Sequence, residues 1–168
     1  MNIQISKVEL HQAQDIKEYV KAFRKGLFPM LDSTIVPRDL LHFEQTYLLH
    51  PDGCFLQARD CDDNIMGVIG MMPYDYRFDY LDYRDSRTVE VARLFVEPAY
   101  RRTGLATMLF NALLEVAKEK GIDILYLHTH PFLTGAFEYW QKQGFQLIKT
   151  TMYGEFETLH MDRTVRDK

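Results

Sequence analysis

No stretch of this sequence approaches the roughly 18 uninterrupted apolar residues that would suggest a membrane span. Its opening, MNIQISKVEL, lacks the basic start and the apolar run of a signal peptide. A cytoplasmic protein with no membrane contact is the expectation. Cysteine is scarce. Cys54 and Cys61 are the only two, and neither belongs to a run of His, Cys or carboxylate residues at zinc-site spacing. They read as small, reduced residues in adjacent strands, and no metal is expected. Positive charge is in deficit, with 20 Lys and Arg against 24 Asp and Glu, a formal net charge of -4 and a pI near 5.8. This disfavours a partner held by its phosphate backbone, so no nucleic acid is expected. Repeats, low-complexity tracts and Gly/Ser linkers are also missing, so residues 1–168 read as a single domain. What is present is 46% hydrophobic and 13% aromatic residues, enough to fill one core.

Strand and helix signals alternate along the chain. Residues 2–6 suggest a short strand, and 12–28 carry Ile16, Val20, Phe23 and Leu27 at helical spacing. A second helix is expected after Pro37, with Leu40, Leu41, Phe43, Tyr47 and Leu48 as its buried side. The runs 54–59 and 64–72 predict an antiparallel hairpin across an acidic turn. Residues 73–87 interleave Tyr, Asp and Arg and predict an ordered loop or a strand extension. A β-branched strand follows at 88–98, then a helix over 103–120 with Leu105, Met108, Leu109, Ala112, Leu113 and Val116 in phase, stopped by Gly121. A strand at 123–129, a helix at 134–143 and two closing strands at 145–151 and 154–162 complete an α/β or α+β pattern.

The most informative segment is Glu90 to Ala106, a strand passing through a short turn into a helix that opens at Gly104. A helix N-terminus presents unpaired N–H groups and partial positive charge, so an unobstructed turn there suits a pyrophosphate. Arg101 and Arg102 can add charge-assisted contacts, while the Lys-Ser/Thr ending of a P-loop is absent. A plain tight connection is the alternative reading of such a glycine. The run Leu94-x-Val96-x-Pro98-x-x-Arg101-x-x-Gly104-x-Ala106 resembles the acetyl-CoA motif of the GNAT (GCN5-related N-acetyltransferase) superfamily. Ala136-x-x-Tyr139-Trp140-x-x-x-Gly144-Phe145 is similar to a second element of that family. The resemblance implies a mixed, mostly antiparallel sheet flanked by helices, whose fourth and fifth strands, here 88–97 and 123–129, splay apart around the pantetheine arm. It implies acetyl-CoA as co-substrate, with the backbone of Leu94, Phe95 and Val96 along pantetheine. The N–H groups of Arg102, Thr103, Gly104, Leu105, Ala106 and Thr107 would hold the pyrophosphate.

An amine acceptor must lose a proton, because a lysine-like amine has a pKa near ~10.4. Glu90 occupies the position from which some family members supply a general-base glutamate; the alternative is a strand-start glutamate paired with Arg93 or solvent. The Leu94 N–H is the candidate oxyanion donor, since family strands often bulge there. Many family members place a thiolate-protonating tyrosine where this chain has Trp140, whose indole is too weak an acid. Tyr139 is adjacent but about 100° around the helix. Leu133 stands where the family often has asparagine, so Thr129 or His130 is a substitute cofactor contact. His128 and His130 share a strand face as a metal pair would, without a third ligand at a suggestive spacing.

For the acceptor, Asp75, Asp79, Asp82 and Asp85 offer acid to attract a cationic amine, offset by Arg77, Arg84 and Arg87 in a loop that also reads as solvated. Phe28, Tyr74, Tyr76 and Phe78 are candidate pocket walls. The expected activity is N-acetyl transfer to a small-molecule or peptide amine. A catalytically weak acyl-CoA-binding module is the alternative, and a homodimer is left open by the family's habits.

Overall fold

The computed structural model describes residues 2–166. Seven strands form one sheet: β1 (Gln4–Lys7), β2 (Cys54–Arg59), β3 (Ile65–Pro73), β4 (Thr88–Val96), β5 (Ile124–Thr129), β6 (Gln146–Tyr153) and β7 (Phe156–Thr164). The helices are α1 (Ala13–Leu27), α2 (Arg38–Leu41), α3 (Leu105–Glu119) and α4 (Ala136–Lys142). Strand order is β1-β2-β3-β4-β5-β7-β6, antiparallel throughout except for the parallel β4–β5 pair. The expected mixed sheet is therefore present, and the final strand inserts inside it rather than at its rim.

The uninterrupted apolar run of β3 follows from burial on both faces. Ile69 and Met71 pack with Leu105, Leu109 and Leu113 of α3, while Val68 and Met72 pack with Ile16 and Val20 of α1. Gly70 shares the face of Val68 and Met72 and pairs with Phe55 on one neighbouring strand and Ala92 on the other. A Cβ there would sit 2.6 Å from the Phe55 ring and 3.0 Å from that of Tyr47. Gly70→Ala is therefore expected to lower the unfolding free energy by about 1–3 kcal/mol through overpacking. Urea denaturation should show this as a lower midpoint at unchanged slope.

Some details differ from the sequence reading. After α2 the chain does not continue as a regular helix: it passes into π-helical turns over Glu44–Leu49, which buries Leu40, Phe43 and Tyr47 but turns Leu41 outward at 61% exposure. Met108 is exposed on α3, and that helix begins two residues late because residues 101–104 form the turn. Cys54 is buried in β2, but Cys61 lies exposed in the β2–β3 turn, so the two are not in adjacent strands. Residues 74–87 are an ordered loop whose Tyr74, Phe78, Leu81 and Tyr83 pack on Tyr126 as a third core cluster. Among the described residues no helix is long and apolar enough to cross a membrane.

Two irregularities of β4 set up the site. Between Val68↔Phe95 and Gly70↔Ala92, two steps on β3 face three on β4, so β4 carries a bulge at Arg93 and Leu94, with Arg93 at a φ of 62°. On its other edge, β4 pairs with β5 only from Thr88↔Ile124 to Glu90↔Tyr126. Beyond Glu90 the two strands run on without pairing each other, β4 to Val96 and β5 to Thr129.

Candidate active site

A cavity of about 750 Å³ opens where β4 and β5 part. Its walls are the free stretches of both strands, the end of α1 and the first part of α4. On the α3 side, Gly104 adopts a φ of 86°, and a Cβ placed there would meet nothing within 4 Å, so the approach to the helix end is open. The Met108 N–H donates to the Gly104 carbonyl at 3.0 Å. The N–H groups of Leu105, Ala106 and Thr107 precede that first turn and have no intrahelical acceptor. An anionic group fits such an end, where the helix dipole adds favourable potential. The Leu105 side chain is buried in the core, leaving only its backbone for this purpose. Arg101 folds back, its Nε donating to the Val96 carbonyl at 3.1 Å and its guanidinium lying 5.5 Å from the centre of the Phe95 ring. Arg102 and Thr103 are exposed, and the Thr103 hydroxyl donates to the Tyr100 carbonyl. The unpaired strand edges and the open helix end together match what a pantetheine arm and pyrophosphate require.

Tyr139 and Trp140 both border the cavity. Trp140 is 8% exposed and packs against Phe110 and Phe145, with ring centres 5.6 and 5.3 Å apart. The Tyr139 hydroxyl lies 3.4 Å from Thr107 Oγ1, and burial raises its phenol above the ordinary value. Thr129 is buried at the end of β5 and also borders the cavity.

Glu90 lies where β4 and β5 separate, 3% exposed. It pairs with Arg77 and not with Arg93, and His128 Nδ1 stands 3.6 Å from its Oε2. Burial pushes the Glu90 carboxyl up to about 7, with the Arg77 charge and hydrogen bond working against that rise. Burial, together with Arg77 and the neighbouring histidines, pushes His128 down to about 3, so its ring is neutral at physiological pH. Its Nδ1 is buried without a hydrogen-bond partner.

Arg93 serves the bulge instead. Its Nε and Nη2 donate to Asp39 Oδ2 and Oδ1 at 3.0 and 2.8 Å, and the Tyr47 hydroxyl donates to Oδ2 at 2.7 Å. Burial pushes the Asp39 carboxyl upward, but Arg93 and Tyr47 outweigh it and hold the group below its ordinary value. This fork clamps α2 to the bulged strand.

Several of these partners had no sequence signal. Arg77 comes from a loop 13 residues before Glu90, and Asp39 from a helix 54 residues before Arg93. His128 was legible only as a strand-face pair with His130; its place beside Glu90 depends on the parallel register Glu90↔Tyr126. Phe28 and Phe78 do line cavities, whereas Tyr74 packs in the third core cluster and Tyr76 is 45% exposed. The aspartates of the 73–87 loop do not line the cleft, although its Arg77 does. Asp75 pairs with Arg77 and Asp82 with Arg84, while Asp79 and Asp85 are solvent-exposed. Among the described residues no group of three His, Cys, Asp or Glu is placed to hold a metal.

This architecture recurs in solved structures. An acetyltransferase of the GNAT family from Staphylococcus aureus MU50 superposes with a TM-score of 0.73 at 22% identity, over 98% of this chain and 100% of that one. YncA from Salmonella typhimurium, solved with its cofactor acetyl-CoA, gives a TM-score of 0.70 at 15% identity, over 100% and 96%. In sequence, human N-acetyltransferase 8 is 27% identical over 108 residues, 64% of this chain and 45% of the relative. The chain spans about half or less of the length of the curated relatives it matches most strongly. The acetyltransferase (GNAT) family profile matches residues 17–145. With that match covering most of the chain, and the parted strands and open helix end in place, this protein belongs to the acetyltransferase (GNAT) family.

Proposed function

We propose that this chain is an N-acetyltransferase that moves the acetyl group of acetyl-CoA onto a primary amine of a small molecule or peptide, with Glu90 as general base. The observation that carries the reading is a buried carboxyl, titrating near neutrality, at the point where β4 and β5 part beside a cavity of about 750 Å³. A base poised near 7 is ionised often enough to act and basic enough to accept a proton. In this reading the amine attacks the thioester carbonyl as Glu90 takes its proton, directly or through a water. The Leu94 N–H, at the bulge, supports the oxygen that becomes negative. The carbon–sulfur bond breaks, and Tyr139 supplies a proton to the departing sulfur, whose ordinary pKa near ~8.5 makes that help modest. Thr129 and the backbone from Leu94 to Val96 would flank the pantetheine arm, and the N–H groups from Arg102 to Thr107 the pyrophosphate.

Trp140 is the only tryptophan and borders the cavity. Titrating acetyl-CoA should change its fluorescence saturably, in the ~1 μM–1 mM range usual for such substrates, with reversal by CoA. Amine-dependent thiol release then tests transfer. Binding without release for any amine would leave an acyl-CoA-binding module, and no binding at all would end the reading.

A further inference from the structure

Beside the main cavity lies a second hollow of about 380 Å³, which the transfer chemistry does not use. The two share Phe28, His128, His130 and Phe132 as walls, so the hollow is one side chain away from Glu90. Its lining is built of rings. Phe132 stacks on His130 with centres 5.1 Å apart, Phe28 meets both edge-on, and Phe156 approaches Phe132 at 5.7 Å. Phe78 closes the side near His128 at 5.4 Å. No carboxylate, Lys or Arg is among its described lining residues. Two of its wall residues carry a polar atom with no hydrogen-bond partner: His128, whose Nδ1 faces Glu90, and Thr158, 1% exposed, through its Oγ1. Buried hydroxyls are rarely left so unless a ligand or water completes them.

Charge narrows the occupant further. Around the main cavity stand Arg24, Arg77, Arg93 and Arg101 against Asp39 and Glu90. Arg77 and Arg93 are matched by Glu90 and Asp39 and Arg101 stands toward the pyrophosphate end, whereas Arg24 forms no ion pair of its own among the described residues and feels Asp39 only through space. A polyamine or aminoglycoside would bring its further ammonium groups against that surplus. An acceptor with one amine and an apolar ring meets no such cost, and a hollow of this size accommodates a ring.

Building on the acetyl-transfer reading, we propose that this hollow holds the body of the acceptor, and that the acceptor is a primary amine carried on a single aromatic ring, with a polar ring substituent bonded to Thr158. Tyramine is the probe, with phenethylamine and spermidine for comparison, under saturating acetyl-CoA. Tyramine should exceed spermidine in kcat/KM by about tenfold or more. Phe156→Ala, whose ring lines the second hollow and not the main cavity, should raise the tyramine KM roughly tenfold while leaving the acetyl-CoA KM unchanged. Calorimetry of tyramine against the CoA complex should show the same weakening, and Phe132→Ala, read by tyramine affinity alone, serves as a second variant should the first fold poorly. Thr158→Val should cost tyramine several-fold and phenethylamine little; equal losses would overturn the hydrogen-bond assignment. Spermidine matching tyramine, or ring truncations without effect on tyramine KM and affinity, would overturn the proposal while acetyl transfer stood. A protein that binds acetyl-CoA yet releases thiol with none of these amines, nor with a wider panel, would overturn the transfer reading and this proposal with it.

Discussion

Glu90→Gln is expected to lower kcat by about 10²–10³-fold, within the range that a positioned general base contributes. The affinity for acetyl-CoA should stay as it was. The carboxyl titrates near 7 because burial disfavours its charge more than Arg77 favours it. The wild-type rate should therefore climb with pH below about 7 and flatten above, apart from the much higher titration of the amine itself. The substitution should abolish that lower limb. Stability supplies the control, with its sign worked out. The folded pKa lies above the unfolded one, so the native state holds a proton that the unfolded state has lost between roughly pH 4.5 and 7, and native stability falls as pH rises through that window. Gln carries no such liability, so the variant should melt no lower than the parent at pH 8, provided Arg77 finds solvent. An inactive variant that also melts far lower would mean that Glu90 supports the fold; an active one with an unchanged pH profile would remove it from the mechanism.

Asp39→Ala is expected to cost about 3–5 kcal/mol of stability, the range found when one partner of a buried ion pair is removed. Arg93 would be left as a buried cation at a left-handed backbone position, and Tyr47 would lose its acceptor. Catalysis should fall as well, because the same guanidinium fixes the bulge that carries Leu94. Chemical denaturation gives the first quantity and kcat at saturating substrate the second. The double variant with Arg93→Met should recover part of the stability, since the charge left unpaired is then gone. A single-variant loss below about 1 kcal/mol would show that water screens the pair, as it does at surfaces. The Asp39 carboxyl is held below its ordinary value, so its contribution is present above the unfolded pKa near ~3.9 and is lost as pH falls through the folded one.

Much of this fold was legible because local rules agreed with the tertiary outcome. The α3 stripe of Leu105, Leu109, Leu113 and Val116 is buried as its spacing required, and the short motif through Gly104 placed a helix end beside a strand end. Strand boundaries held to within about two residues, since each is set by a turn or a proline. Legibility failed where a partner came from far along the chain. The company of Glu90 is a loop arginine and a histidine from the next parallel strand, and neither can be read without the register. Nor does any local pattern tell whether Asp39 faces solvent or Arg93. The aspartates of the 73–87 loop follow the solvated reading: their charges are neutralised locally or turned to water, and composition alone does not separate that from a cleft that attracts cations.

The place of β7 also bears on how the molecule is made. It is the last strand in sequence, yet it separates β5 from β6, and it supplies Thr158 to the hollow and His160 to the buried bond with Tyr126. A chain emerging from the ribosome can assemble β1 to β4 and lay down α3 while β5 still lacks its neighbour. Until residues 156–164 appear, that strand presents an open edge of the kind that recruits other chains. Synthesis therefore passes through a window in which β1 to β4 and α3 are formed and the hollow that Thr158 lines is not. Nascent-chain protection by chaperones, or sensitivity to slow translation, should concentrate in that interval.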